Sequence, residues 1–296
     1  MQTPDPDGIT ASSASGDEAV QHLFDTLVQT NNELAVLHRD LAGKSRALEE
    51  AIAQKNQFLG MAAHDLRNPL SVIGGMSKVL LRSENVNDKE RRLLQSINGS
   101  ALFMQQLVDD LLNVTEFQAV NFQLRREPLS LSSLLEERVE VARMLAAPKQ
   151  IAVTLRMPRA HVHASADRMR LTQLFDNLLS NAVKYSAPGT EVMVHLRQRG
   201  DRARIAVRDR GVGIPANEMQ KLFLPFSVTS ARSTGGEKST GLGLVIVKRI
   251  AEAHGGQVKV RSRVGSGTTF HVLLPIDTTA SESDNRDTTF TEPSVL

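Results

Sequence analysis

The sequence predicts an α+β chain in two folded parts, a helical hairpin followed by a domain of mixed helices and strands. Three observations lead there. Apolar residues recur at three- and four-residue steps along two stretches, about 58–82 and 93–112, separated by the turn-rich Ser83-Glu84-Asn85-Val86-Asn87-Asp88. Beyond Pro128 the period changes, with strands of clean alternation such as Val192, Val194, Leu196 set among helical stretches. Apolar residues make up 41% of the 296 positions, enough to fill two cores.

Residues 1–18, rich in Ser, Asp, Gly and Pro, read as disordered. From 19 to 57 the pattern is helical, and Leu27, Leu34, Leu41 and Leu48 recur every seventh residue. That spacing suits a short coiled coil, although Asn31, His38 and Lys44 interrupt the companion positions. An amphipathic helix packed within its own chain is the alternative. The hairpin follows, at 58–122. In its first helix Phe58, Ala62, Pro69, Ile73 and Met76 mark one apolar face. Pro69 cannot donate to the carbonyl of Asp65, so a kink is expected there, with the helix continuing through Val79 to Leu81. In the second helix Leu93, Leu94, Ile97, Leu102, Phe103, Leu107, Leu111 and Leu112 point inward. One hairpin cannot cover such a stripe alone. Two can, as a four-helix bundle, so a homodimer is expected.

The second domain spans 128–276. It opens with a helix over about 130–146 and a short strand at Ile151–Leu155. Asp167 then caps a helix that runs to about Tyr185, with Leu171, Leu174, Phe175, Leu178 and Leu179 apolar. Strands around Val192–Leu196 and Ile205–Val207 come next, then a Ser-, Thr- and Gly-rich loop at 227–240 with the composition of a mobile lid. A helix over Val245–His254 and strands around Val258–Val260 and Phe270–Leu274 close the domain. The tail, 277–296, is acidic and reads as disordered.

Composition excludes several chemistries. There is no cysteine, which removes disulfides, thiolate catalysis and Cys-based metal sites. Trp is absent and Tyr occurs once, so no aromatic surface is available for stacking nucleic-acid bases. The first twenty residues hold no apolar core of a signal peptide. No apolar run reaches the ~18–20 residues of a membrane span, and a cytoplasmic protein is expected.

Chemistry concentrates in a few places. His64 lies off the apolar face of its helix, beside Asp65, with Asn68 one turn on. An exposed imidazole with an adjacent carboxylate is a candidate nucleophile, because the carboxylate holds one ring N–H while the other nitrogen attacks. The bland alternative is a surface histidine. Asn177, Asn181 and Lys184 form a polar stripe at i, i+4 and i+7 on an otherwise apolar helix. Amide oxygens suit Mg²⁺ and a lysine suits phosphate, whereas a merely solvated face is the competing reading. Asp209 ends a strand, and Gly211 and Gly213 let the backbone pass close to a flat ligand. Phe223-Leu224-Pro225-Phe226 follows, and Gly241 and Gly243 open a helix, where free N–H groups attract phosphate.

In this order the motifs resemble those of a sensor histidine kinase of the two-component type. They are the H box around His64, the N box from Asn177 to Tyr185, the first glycine box from Asp209 to Gly213, the F box from Phe223 to Phe226 and the second glycine box from Gly241 to Gly243. The likeness covers roughly 55–276. It implies a dimerisation and phosphotransfer hairpin followed by an ATP-binding α/β sandwich of the kind shared by Hsp90, gyrase and MutL. It implies His64 as phosphoacceptor, Asp65 as its acid/base partner and Asn68 as a residue that positions water for dephosphorylating a regulator. It implies Asn181, with Asn177 beside it, as ligand of the Mg²⁺ carried by ATP. Lys184, Tyr185 and Lys238 would contact the phosphates and nucleotide. Asp209 would read the adenine amino group, and Gly211, Gly213, Gly241 and Gly243 would flank the nucleotide. The expected partners are a second copy, a separate response regulator and an upstream sensory protein, since residues 20–57 are too short for a sensor domain. An ATPase of the Hsp90 or MutL type and a serine kinase of the anti-sigma type share the ATP motifs but have no use for His64. A non-enzymatic bundle adaptor has no use for Asn181 and Asp209.

Overall fold

The computed structural model describes residues 7–83, 85–116 and 123–276. Contacts divide the chain into Met1–Gln57 and Phe58–Leu296. Helix α1, Asp7–Leu81, crosses that division. Residues 7–18, expected to lack structure, are therefore helical, while 1–6 and the tail 277–296 lie outside the described residues. Extending a formed helix adds a hydrogen bond for each residue fixed, so a mixed Ala/Ser/Asp sequence can continue one that stronger stretches nucleate. Leu27, Leu34, Leu41 and Leu48 are all exposed, so the described residues of this chain do not cover the heptad stripe.

In the second unit α1 continues through Pro69 and meets helix α2, Asp88–Glu116. Asn87 caps α2 reciprocally: its side chain accepts from Glu90 N at 2.9 Å, and its own N–H donates to Glu90 Oε2 at 3.0 Å. The face of α1 turned to α2 is not the expected one. Ala63, Leu70 and Ser77 are buried, whereas Phe58, Ile73 and Met76 stay exposed. Small residues win the intrachain contact because they let the helices approach; a Cβ on Gly74 would sit 3.8 Å from Ala101 Cβ. On α2 it is Ala101, Val108, Asp110 and Thr115 that are buried, while Leu93, Ile97 and Leu102 are exposed. Polar ties complete the pairing: Arg67 Nη2 bonds Asp109 at 2.5 Å, and Gln105 donates to Ser71 at 2.9 Å.

The α/β part holds the main core. A five-stranded sheet has the order β2-β4-β5-β7-β6, where β2 is Ala152–Arg156, β4 Glu191–Arg199, β5 Arg202–Arg208, β6 Gln257–Arg263 and β7 Gly267–Pro275. Only the β2–β4 pair is parallel. Helices α3 (Leu131–Ala146), α4 (Arg168–Tyr185) and α5 (Gly243–Ala253) contribute to one apolar cluster with one face of this sheet. Val192, Val194, Leu196, Ile205, Val207, Val272 and Leu274 supply the sheet's side, all close to fully buried. Two short strands, β1 (Glu127–Ser130) and β3 (His163–Ala166), pair antiparallel and were not legible from periodicity at four residues each. Asp167 caps α4 as expected, accepting from Arg170 N at 3.1 Å. Buried His254 fastens that turn to α5: its Nε2 accepts from Asp167 N at 3.0 Å, and its Nδ1 faces the Ile250 carbonyl at 2.8 Å. Burial lowers its pKa, in keeping with a neutral ring that both donates and accepts.

Candidate active site

Asp209 is fixed by its own backbone surroundings. It leaves the end of β5, and its Oδ1 accepts from Gly211 N at 2.8 Å and Thr268 N at 3.0 Å. No described group takes Oδ2, and Asp209 lines a cavity of about 810 Å³. Burial raises its pKa, and the two backbone donors oppose that rise. The arrangement offers one oriented carboxylate oxygen as an acceptor in a mostly desolvated place.

The same cavity collects the polar stripe of α4. Asn177, Asn181, Lys184 and Tyr185 line it, as do Gly213, Lys238, Gly241 and Gly243. Asn177 also lies against the start of α5, where a Cβ on Gly243 would be 3.3 Å from its Oδ1. The stripe is therefore gathered at a helix N-terminus, a place suited to anionic oxygens. Gly211 is different: it does not line the cavity. A Cβ there would overlap the Tyr185 carbonyl, and Ser186 and Gly211 form a β-bridge. Its lack of a side chain serves the close pass between α4 and the strand end. Gly213 has φ +73°, and a Cβ would strike the Arg263 carbonyl, so both conformation and space require glycine.

The loop 227–240, which sequence suggests to be a lid, is pinned in several places. Lys149 Nζ pairs with Glu237 Oε1 at 2.6 Å and donates to Thr234 Oγ1 at 3.1 Å. Thr234 Oγ1 in turn donates to Ser186 O at 2.7 Å. Burial pushes the Glu237 carboxyl upward, but Lys149 and the backbone donors of Glu237 and Gly235 together outweigh it and the net shift is down. Lys184 donates to the Lys238 carbonyl, and burial lowers its pKa against the pull of Glu237. Sequence alone missed Lys149 and Glu237, which lie far apart in the chain and in no motif.

One wall comes from the hairpin. Phe103, Gln106 and Asp110 of α2 line the cavity. Asp110 Oδ2 accepts from Thr240 Oγ1 at 2.6 Å and its Oδ1 from Gln106 Nε2 at 2.7 Å. Burial raises the Asp110 pKa more than these donors lower it. Arg170 of α4 bonds Asn113 at 3.0 Å and Glu116 at 2.6 Å, and Lys238 Nζ lies 5.5 Å from the Phe103 ring. These contacts explain why hairpin and sandwich fall in one compact unit.

His64 stands apart from the cavity lining. Its side chain is 68% exposed on α1, and Nδ1 lies 3.4 Å from Asp65 Oδ1, a long contact open to water. Nε2 has no partner among the described residues, so the ring has a nitrogen available to a reactant. Asn68 is exposed, and its side chain makes no hydrogen bond to any described residue.

Comparison with known proteins bears on both regions. Residues 54–119 match the family described as the His Kinase A (phospho-acceptor) domain. Residues 166–278 match that of histidine kinase-, DNA gyrase B- and HSP90-like ATPases. The circadian input-output histidine kinase CikA of Synechococcus elongatus is 36% identical over 237 residues, covering 78% of this chain and 31% of that protein. The sensor-like histidine kinase SenX3 of Mycolicibacterium smegmatis is 30% identical over 265 residues, covering 88% of this chain and 67% of its own length. The chain spans less than half the length of the first curated relatives it matches. Among solved structures, full-length ShkA in complex with AMPPNP aligns with a TM-score of 0.61 at 28% identity, over 75% of this chain and 46% of that one.

Proposed function

The chain belongs to the two-component sensor histidine kinases, and from that premise we propose that it moves the γ-phosphoryl group of ATP to His64 and on to an aspartate of a separate response regulator. The observation that carries the reading is the pairing of an exposed His64–Asp65 on a helical hairpin with a cavity that gathers Asn177, Asn181, Lys184 and Asp209. A cavity of about 810 Å³ is the size expected of a nucleotide site.

The residues fit the groups implied. Asp209 Oδ2 is oriented to accept from the adenine amino group, because its other oxygen is held by two backbone donors. Asn181 and Asn177 present hard amide oxygens that would complete the shell of a Mg²⁺ entering with the phosphates. Bound Mg²⁺ would neutralise phosphate charge. Lys184 and Lys238 add positive charge at the same wall. At the other end His64 uses a free ring nitrogen as nucleophile, and Asp65 offsets the charge that develops on the ring. Catalysis then rests on placement and electrostatics more than on covalent help from the protein.

A homodimer supplies the missing cover. The exposed apolar side chains of α1 and α2, Phe58, Ile73, Met76, Leu93 and Ile97 among them, form the surface a second hairpin would bury. The test of the activity is chemical. Label from the γ-phosphate of ATP should be retained by the chain in alkali and lost in acid, as a phosphoramidate requires. An acid-stable label would identify a hydroxyl ester and overturn the reading.

Asn68 and Asp65 are expected to serve opposed steps. Asn68 is free to hold a water one turn from His64, suited to hydrolysing a regulator's phosphoaspartate. Asn68→Ala should keep autophosphorylation and lose phosphatase activity, whereas Asp65→Ala should do the reverse. Parallel loss of both activities in Asn68→Ala, with a lower melting temperature, would make that residue structural.

A further inference from the structure

The face of the sheet turned away from the helices is unusually basic. Strand register places Arg156, Arg197, Arg204, Arg208, Lys259 and Arg261 together on it. All six are exposed, and none pairs with a described carboxylate. Arg197 lies directly opposite Arg204, and Arg199 opposite Arg202, pairings of like charge that weaken a sheet unless an anion lies over them. His195 and His271 sit in a shallow groove of about 250 Å³ at the centre, and His195 Nε2 is buried without a hydrogen-bond partner. Burial, then the neighbouring arginines, lowers the pKa of both rings. Of the carboxylates at the rim, Glu191 is already bonded to Thr154 and lies 3.6 Å from Arg210.

We propose that this face is a docking surface for an acidic polypeptide, and that its occupant is the chain's own segment 277–296. That segment carries Asp277, Glu282, Asp284, Asp287 and Glu292 against the single Arg286. It starts beside the face: Ile276 N donates to Asp201 O at 2.9 Å, next to the Arg199–Arg202 pair. Its 20 residues reach up to roughly 70 Å when extended, and a five-stranded sheet is only about 20 Å across. Covalent attachment gives the acidic segment an effective concentration in the millimolar range, which no separate polyanion matches easily. The docked segment covers the side of the sheet away from the helices, so nucleotide binding does not depend on it.

Zero-length carbodiimide cross-linking of the full chain tests the assignment. The reagent activates a carboxyl, and a lysine amine displaces the leaving urea to form an amide. Lys259 is the one lysine that the register places on this face. Peptide mapping is expected to join Lys259 to Glu282, Asp284 or Asp287. The yield should fall when salt rises from about 50 to about 500 mM, and should be lost in R197E/R204E at unchanged nucleotide affinity. A Lys259 that never links to the segment, or a link indifferent to R197E/R204E, overturns the proposal. So does a link formed only between isotopically light and heavy chains. Displacement of the link by phosphatidylglycerol vesicles or duplex DNA that then co-sediment with the chain reassigns the face to lipid or nucleic acid.

Discussion

Asp209→Ala is expected to weaken nucleotide binding by about 10- to 150-fold, the worth of a hydrogen bond to a charged group at ~1.5–3 kcal/mol. Alanine also strips the acceptor from Gly211 N and Thr268 N, so stability falls with it. Asp209→Asn separates the two effects. Its remaining carbonyl oxygen keeps the brace, while an NH₂ replaces the acceptor that faces the cavity. Calorimetry should show the same loss of affinity with little change in melting temperature, and wild-type affinity in Asp209→Asn would mean adenine is read elsewhere. The pH dependence has a definite sign. Because burial raises the pKa, Asp209 takes up a proton at a higher pH than an ordinary carboxyl near 3.8. Nucleotide affinity should therefore decline on the acid side from above that value, and Asp209→Asn should flatten this limb. For folding the sign reverses: the native state binds that proton more tightly than the unfolded chain, so the cost of burying Asp209 eases as pH falls.

Asn181→Ala is expected to act on the chemical step more than on binding. The residue lies on the cavity wall as a neutral oxygen donor, and losing one preorganised group that stabilises developing charge costs about 10²–10³ in rate. ATP affinity without Mg²⁺ should change little, while autophosphorylation collapses and raising Mg²⁺ recovers part of it. The dimer should persist in Asn181→Ala, since the apolar surface of the hairpin is untouched. Wild-type rates in this variant would remove the amide stripe from the mechanism.

Much of the site was legible because its residues carry local signatures. Asp167 announced the start of α4, and the stripe Asn177, Asn181, Lys184 stood out against Leu171, Leu174 and Leu178. Asp209 was visible as a carboxylate where an alternating strand gives way to glycines. What stayed hidden depends on partners distant in sequence. Thr240 meets Asp110 across 130 positions, and Lys149 meets Thr234 across 85. No period or spacing encodes either. The hairpin illustrates a subtler limit. Helix α1 has two faces able to pack, one of small residues through Ala63, Gly74 and Ser77, and one of large residues through Phe58, Ile73 and Met76. Periodicity detects the larger face but cannot say that the small one closes the hairpin within the chain. β1 and β3 were missed because four residues are too few to establish alternation.

The central claim is that the phosphoryl group rests on His64. Fragmentation mass spectrometry of the ATP-treated chain, run at neutral pH with electron-transfer dissociation, reads that position directly. The modification is expected on His64 alone, and His64→Gln should carry none while binding nucleotide with unchanged affinity. A phosphoryl group on any other residue, or undiminished modification of His64→Gln, would contradict the account.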